Sequence, residues 1–201
     1  MEKNYYRKII GVKCYLSPML LSDAEQYTEW LNDFAVSSHS IGISNILTIE
    51  KEINILKDLA NGHNFAIIDK EKDKLIGSIG LFNVDFIHRR SEFGIIIGDR
   101  NYWNRGYGAE ACKLMLDYCF NALNLHHIRL STYSYNTRAI KCYEKVGFKV
   151  VGKFTEFVQV AGKKYDMVLM EILSTGFVSP FIEKFLDNVI LEKQSNNLEL
   201  L

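Results

Sequence analysis

The chain has 201 residues, 48% of them hydrophobic and 24% charged, which is ordinary usage for one globular domain with room for an appendage and excludes disorder over most of its length. Basic and acidic residues number 24 each, so the formal net charge is zero, which argues against a protein that coats a polyanion such as a nucleic acid. Two prolines and 13 glycines exclude collagen-like and low-complexity classes. In chain order, Val12 to Leu16 reads as a strand. Ser22-Asp23-Ala24-Glu25 fits a capping box opening a helix to Leu31. Asn32 to Thr48 is polar and irregular. Ile49 to Ala60 repeats Ile49, Ile53, Leu56 and Ala60 on one helical face and ends at Asn61-Gly62. Asn64 to Ile68 and Leu75 to Val84 make a hairpin around a charged turn, and Ser91 to Ile97 is a third strand of this group.

The glycine turn Arg105-Gly106-Tyr107-Gly108 then opens a helix from Ala109 to Leu123, with Cys112, Met115, Leu116, Cys119 and Leu123 on one stripe. His127 to Tyr133 is a strand and Thr137 to Val146 a helix. Val150 to Val160 and Lys164 to Leu173 are strands joined at Ala161-Gly162. Strands and helices in this order predict an α/β (α+β) sheet covered by helices. Beyond it, Ser179 can cap a last helix, with Pro180 in its first turn. Its apolar stripe Phe181, Ile182, Phe185, Leu186, Val189 and Ile190 is expected to pack on the domain or on a second subunit, and the tail Gln194 to Leu201 to be loose. The expected division is 9–175 for the domain and 178–201 for this appendage.

The four cysteines, Cys14, Cys112, Cys119 and Cys142, have neither disulfide nor zinc-ligand spacing, so buried thiols and no metal are expected. Met1 to Lys8 lacks the apolar stretch of a secretory signal, and no segment has the roughly 20 apolar residues of a membrane span. A cytoplasmic protein without membrane or nucleic-acid partners is the expectation. His126 and His127 would point to opposite sides of a strand, which does not make a metal pair.

Two segments carry candidate chemistry. Gly106 and Gly108 let backbone approach a bulky group, and the helix they open presents free N–H groups and a positive dipole end to an anion. Thirty residues on, Asn136 caps a short helix, Ala139 and Tyr143 share a face, and Gly147-Phe148 closes it. Together, Arg105-Gly106-Tyr107-Gly108-Ala109 and Asn136-x-x-Ala139-x-x-x-Tyr143-x-x-x-Gly147-Phe148 resemble the GNAT superfamily of acetyl-CoA-dependent N-acetyltransferases, over about Val12 to Leu173. His88-Arg89-Arg90-Ser91-Glu92-Phe93 is similar to the ribosomal-protein and spermidine acetyltransferase branch.

The resemblance implies a mixed central sheet of about seven strands flanked by helices, with acetyl-CoA as co-substrate. It implies that backbone groups of Ile95, Ile96 and Ile97 hold the pantetheine arm like an added strand. The N–H groups of Asn104, Arg105, Gly106, Tyr107, Gly108 and Ala109 would hold the pyrophosphate, and Asn136 and Ala139 would line the pantetheine. Tyr143 would approach the sulfur and protonate the leaving thiolate. Trp103 stands where the family usually has Gln or Arg. Glu92 is the candidate base, with pairing to Arg89 or Arg90 as its structural alternative; His88 is a lesser candidate. The acceptor is a primary amine: a peptide or protein N-terminus, an amino sugar or another small amine, with a polyamine such as spermidine as alternative. Polyamine sites need carboxylates, and the loop Phe34 to Asn45 has none. A non-catalytic acyl-CoA-binding module is the reading of another class.

Overall fold

The computed structural model describes residues 5–39, 44–182 and 185–190. Eight strands form one sheet in the order β1-β2-β3-β4-β5-β6-β8-β7: β1 (Ile9–Ile10), β2 (Cys14–Pro18), β3 (Asn64–Asp69), β4 (Lys74–Asp85), β5 (Arg90–Ile97), β6 (His127–Tyr133), β7 (Lys149–Val160) and β8 (Lys163–Leu173). The additional strand over the expected seven is the two-residue edge β1. All neighbours are antiparallel except β5 and β6.

Helices cover both faces because the inner strands bury side chains of both parities. Leu16, Ile67, Ile76 and Ile128 pack towards α4 (Tyr107–Asp117) and α5 (Thr137–Val146). Tyr15, Ala66 and Ile68 pack on the other face, with Tyr27 and Trp30 of α1 (Ala24–Asn32) and Leu56 of α3 (Ile49–Ala60). Between those two helices lies the short α2 (Phe34–Ser37), inside the stretch expected to be irregular.

Helix starts differ in how locally they are set. Thr48 caps α3 by accepting from the Lys51 N–H at 3.2 Å. The capping box at Ser22 does not form. A 3-10 turn over Leu21–Asp23 leads into α1, and the Asp23 carboxylate accepts instead from the Tyr5 hydroxyl at 3.0 Å. The helix expected to reach Leu123 ends as a π-helical turn over Tyr118–Ala122.

The C-terminal segment is docked by a residue far from it in sequence. One oxygen of buried Asp117 accepts from the N–H groups of Phe181 and Ile182 at 2.9 and 3.0 Å, and the other from the Ser179 hydroxyl at 2.7 Å. Asp117 thus accepts the N–H groups of the first turn of the last helix and also holds Ser179. Phe177 meets Phe120 with ring centroids 5.1 Å apart, and Phe181 packs on the core. Further along the helix, Phe185, Leu186 and Ile190 are 67%, 49% and 53% exposed, so the expected stripe is only partly covered. The tail Gln194 to Leu201 lies outside the described residues. Among the described residues no helix is long and apolar enough to cross a membrane.

Candidate active site

The parallel pair β5–β6 is in register at three positions, Arg90 with His127, Ser91 with Ile128 and Glu92 with Arg129. Beyond Glu92 the two strands part, while β5 stays paired to β4 as far as Ile97. The Gly98 N–H donates to Ile76, which fixes the alternation: Ile96 is bonded to β4, whereas Phe93, Ile95 and Ile97 aim their N–H and C=O groups at the gap. A cavity of about 1030 Å³ runs through this gap.

The glycine turn forms the rim on the α4 face. Gly106 has φ +87°, a left-handed conformation that suits glycine, and it caps α4. Lys13 Nζ donates to the Arg105 carbonyl at 2.8 Å, and Glu110 accepts from the Lys13 and Cys14 N–H groups at 2.7 and 3.1 Å, which ties the turn to β2. Tyr102 and Tyr107 both donate to buried Asp69 at 3.0 Å. Glu110 is the first residue of the helix whose N–H finds a backbone acceptor, Gly106 O at 3.1 Å. The N–H groups before it are open to a ligand. A Cβ built on Gly108 would meet Cys142 Sγ and Ile97 Cγ1 at 3.8 Å, ordinary contacts. Protein packing alone thus does not demand glycine there, and the turn leaves its free N–H groups beside open space in the cavity. Arg138, Lys141 and Lys145 of α5 line the same side and supply positive charge.

Local chemistry builds α5. Asn136 Oδ1 accepts from the Ala139 N–H at 3.3 Å, and Gly147 closes the helix at φ +115°. Tyr143 packs edge-on against Phe93 and Phe148, at 6.4 and 5.8 Å between centroids. Burial, reinforced by the Cys112 and Cys142 sulfurs, pushes its phenol well above the ordinary range, so it stays protonated. Its hydroxyl has no hydrogen-bond partner among the described residues, and its ring lines the cavity. Glu92, Ile95, Ile96, Ile97, Asn104, Gly106, Gly108, Ala109, Asn136 and Ala139 line it too. Arg105 and Tyr107 do not; the Arg105 guanidinium donates to the Asn101 carbonyl at 3.3 Å.

The opposite end lies under α1 and α3. Glu92 accepts there from Asn83 Nδ2 at 2.6 Å and pairs with Arg129 at 3.0 Å, its register neighbour, rather than with Arg89 or Arg90. His88 sits in a surface turn, its N–H donating to Asp85. His127 pairs with Glu171, and His126 bonds Ser174. Among the described residues no group of His, Cys, Asp and Glu is placed to hold a metal ion.

Three features of the cavity are not apparent in the motifs. Trp103 donates its indole N–H to the Ile97 carbonyl at 2.7 Å, and the Arg138 guanidinium lies 3.7 Å over its ring. His39 lies near Trp103 and Tyr135, its pKa lowered by burial and by Arg138. Glu52 of α3 lines the cavity while 2% exposed. Its signal in the sequence was a carboxylate three residues after Ile49 and four before Leu56, on the apolar face of its helix.

With this geometry in hand, comparison with known proteins identifies the family. Residues 13–149 match the family model described as "Acetyltransferase (GNAT) domain". An N-acetyltransferase of Bacillus licheniformis is 28% identical over 167 residues, 81% of this chain and 93% of the relative. The spermidine N(1)-acetyltransferase of Vibrio cholerae is 33% identical over 131 residues, 62% of this chain and 75% of that one. Two solved structures share the fold at 24% identity and a TM-score of 0.73. One is a GNAT-family acetyltransferase from Bacillus anthracis, covering 83% of this chain and 98% of its own. The other is a Vibrio cholerae spermidine N-acetyltransferase in complex with CoA and spermine, covering 82% and 98%. A split parallel pair, a glycine turn opening a helix beside it, and this match over most of the domain lead to one conclusion: the chain belongs to the GNAT family, as an acetyl-CoA-dependent N-acetyltransferase.

Proposed function

We propose that the enzyme acetylates a small primary amine by direct transfer in a ternary complex, with Tyr143 as general acid and Glu92 as base through a water molecule. The observation that carries this reading is the cavity through the sheet. Its α5 side bears cations and an unpartnered phenol, and its α1–α3 side bears carboxylates and aromatic rings. Phosphates suit the first and an ammonium suits the second. In this reading, N–H groups of Asn104 to Ala109 hold the pyrophosphate, backbone groups of Ile95 and Ile97 hold the pantetheine arm, and Asn136 and Ala139 flank it. Bound acetyl-CoA supplies the activated acetyl group.

An alkylammonium with pKa near ~10.4 must lose a proton before it attacks. Glu92 is held by Arg129 and Asn83, so a water relays that proton to it. The slot-facing N–H groups of β5 are donors for charge developing on the acetyl oxygen. As the C–S bond breaks, Tyr143 gives its proton to the sulfur. Burial raises the phenol, so Tyr143 carries its proton until the leaving thiolate takes it.

The relatives named for spermidine and the acidic, aromatic acceptor end support a polyamine as the acceptor. The exposed Phe185, Leu186 and Ile190 support association into a homodimer, which sedimentation checks. Thiol release from acetyl-CoA is the test, with a panel of alkylamines, polyamines, amino sugars and a peptide N-terminus. A ternary mechanism gives intersecting double-reciprocal lines; parallel lines would refute direct transfer. Tyr143→Phe is expected to lower kcat about 10²–10³-fold with acetyl-CoA affinity retained. Wild-type kcat in that variant, with chemistry rate-limiting, would return the ring to the core.

A further inference from the structure

Glu52 is a carboxylate without a visible structural purpose. It is 2% exposed, and its Oε2 has no hydrogen-bond partner. Burial raises its pKa, and no neighbouring cation is among the causes of that shift. A carboxylate in such a place costs stability unless something compensates it. The cations that line the cavity, Arg138, Lys141 and Lys145, all come from α5; the Arg138 guanidinium is engaged over the Trp103 ring at 3.7 Å, and none of the three contributes to the Glu52 shift. On the α1–α3 face the lining acids are Glu52 and Glu92, and Arg129 already neutralises Glu92. Around Glu52 the cavity wall includes Tyr27 and Trp30, packed edge-to-face at 5.7 Å. The Tyr27 hydroxyl is directed to the Gly77 carbonyl at 3.3 Å. Two aromatic rings and an unpaired carboxylate are a receptor for an ammonium group.

We propose that Glu52 determines acceptor specificity by binding a second cationic group of the acceptor, remote from the nitrogen that is acetylated. The inference rests on the acetyltransferase reading above. Tyr143 belongs to the α4–α5 face and Glu52 to the α1–α3 face. With the attacking nitrogen beside the β5–β6 gap and a second cationic group at Glu52, the preferred acceptor is a chain with amines at two points. The carboxylate absent from the Phe34 to Asn45 loop is thereby supplied from α3.

The test compares 1,5-diaminopentane with n-pentylamine, which differ in one amine. In the wild type the diamine is expected to have the lower KM. Glu52→Gln is expected to raise KM for the diamine about 10–100-fold at nearly constant kcat and to leave n-pentylamine unchanged, with Glu52→Asp recovering part of the loss. Equal loss for both amines, or no change for either, would overturn the proposal. Thermal melting guards against misfolding: Glu52→Gln is expected to melt at or above the wild type, because it removes an uncompensated buried charge. Calorimetry of the diamine on CoA-loaded protein separates the two readings. Diamine binding that Glu52→Gln abolishes supports the Glu52 role even if no amine is turned over, a result that would strike only at the transfer reading. Binding unchanged in the variant overturns the Glu52 role whether or not transfer occurs.

Discussion

Asp117→Asn removes a single charge from the joint between α4 and the C-terminal helix and keeps the side chain's shape. The retained oxygen can still accept from Ser179 and from Asn121, which donates to the carboxylate at 2.7 Å. The new amide group then faces the Phe181 and Ile182 N–H groups, so two acceptor contacts at 2.9 and 3.0 Å become donor–donor contacts. A hydrogen bond to a charged group contributes about 1.5–3 kcal/mol. Two such bonds set an upper range, and two effects reduce it. Burying the carboxylate itself costs something, and the segment can detach, so the loss cannot exceed the free energy that docks it. Phe177 and Phe181 then leave the core with it. We expect about 2–3 kcal/mol, seen as a urea midpoint about 1 M lower at pH 7. Hydrogen exchange supplies the local readout, with the Phe181 and Ile182 amides losing protection first. A variant with an unchanged midpoint and protected amides would falsify the capping role of Asp117.

Gly108→Val should weaken CoA binding at least about 10-fold while shifting the melting temperature little, since a Cβ there meets only ordinary contacts and the larger branch fills the slot; unchanged CoA affinity by calorimetry would remove the glycine from the cofactor site. Cys142 should be the fastest of the four thiols to alkylate, because a hydrogen bond from Cys112, with Lys145 and Arg138 nearby, lowers its pKa, whereas burial raises those of Cys14, Cys112 and Cys119. Bound CoA should protect it, and mass spectrometry showing equal labelling with and without CoA would contradict the site. Stability should also report on Glu52. Its pKa is raised in the folded chain above the ordinary 4.5, so the folded state holds the proton more tightly than the unfolded one. Wild-type stability relative to Glu52→Gln should therefore be fully retained below pH 4.5 and fall as pH rises through the window above it. A gap independent of pH between 4 and 7 would refute that.

What the sequence revealed tracks how local the determining chemistry is. The start and end of α5 were legible because Asn136 and Gly147 act on backbone within four residues. The β3–β4 hairpin was legible from two apolar runs around a charged turn. The Ser22 capping box does not form because Ser22 lies inside the 3-10 turn Leu21–Asp23 and Asp23, not Ser22, stands at the start of α1, where its carboxylate is bonded to Tyr5, 18 residues earlier. The edge strand β1 is too short for a pattern, and its pairing to Leu16 and Tyr15 makes it a strand. The π-helical turn keeps the apolar spacing of an α-helix closely enough to be read as one. At the cavity, the glycine turn and the Asn136-to-Phe148 segment made the α4–α5 side legible. The α1–α3 side was hidden, because Glu52 becomes a cavity residue only when α3 packs beside α1.

That gap also limits how this protein can be engineered. Three register pairs join β5 to β6, and every further pair would add ladder hydrogen bonds to the sheet. It would also take the backbone groups of Phe93, Ile95 and Ile97 out of reach of a ligand and narrow the cavity. Selection for heat resistance acting on this seam would therefore zip the strands together and silence the enzyme. Stabilising substitutions belong elsewhere: on the exposed side of α3, or at Val150 and Val151 of the β7 edge, where gains in rigidity leave the seam open.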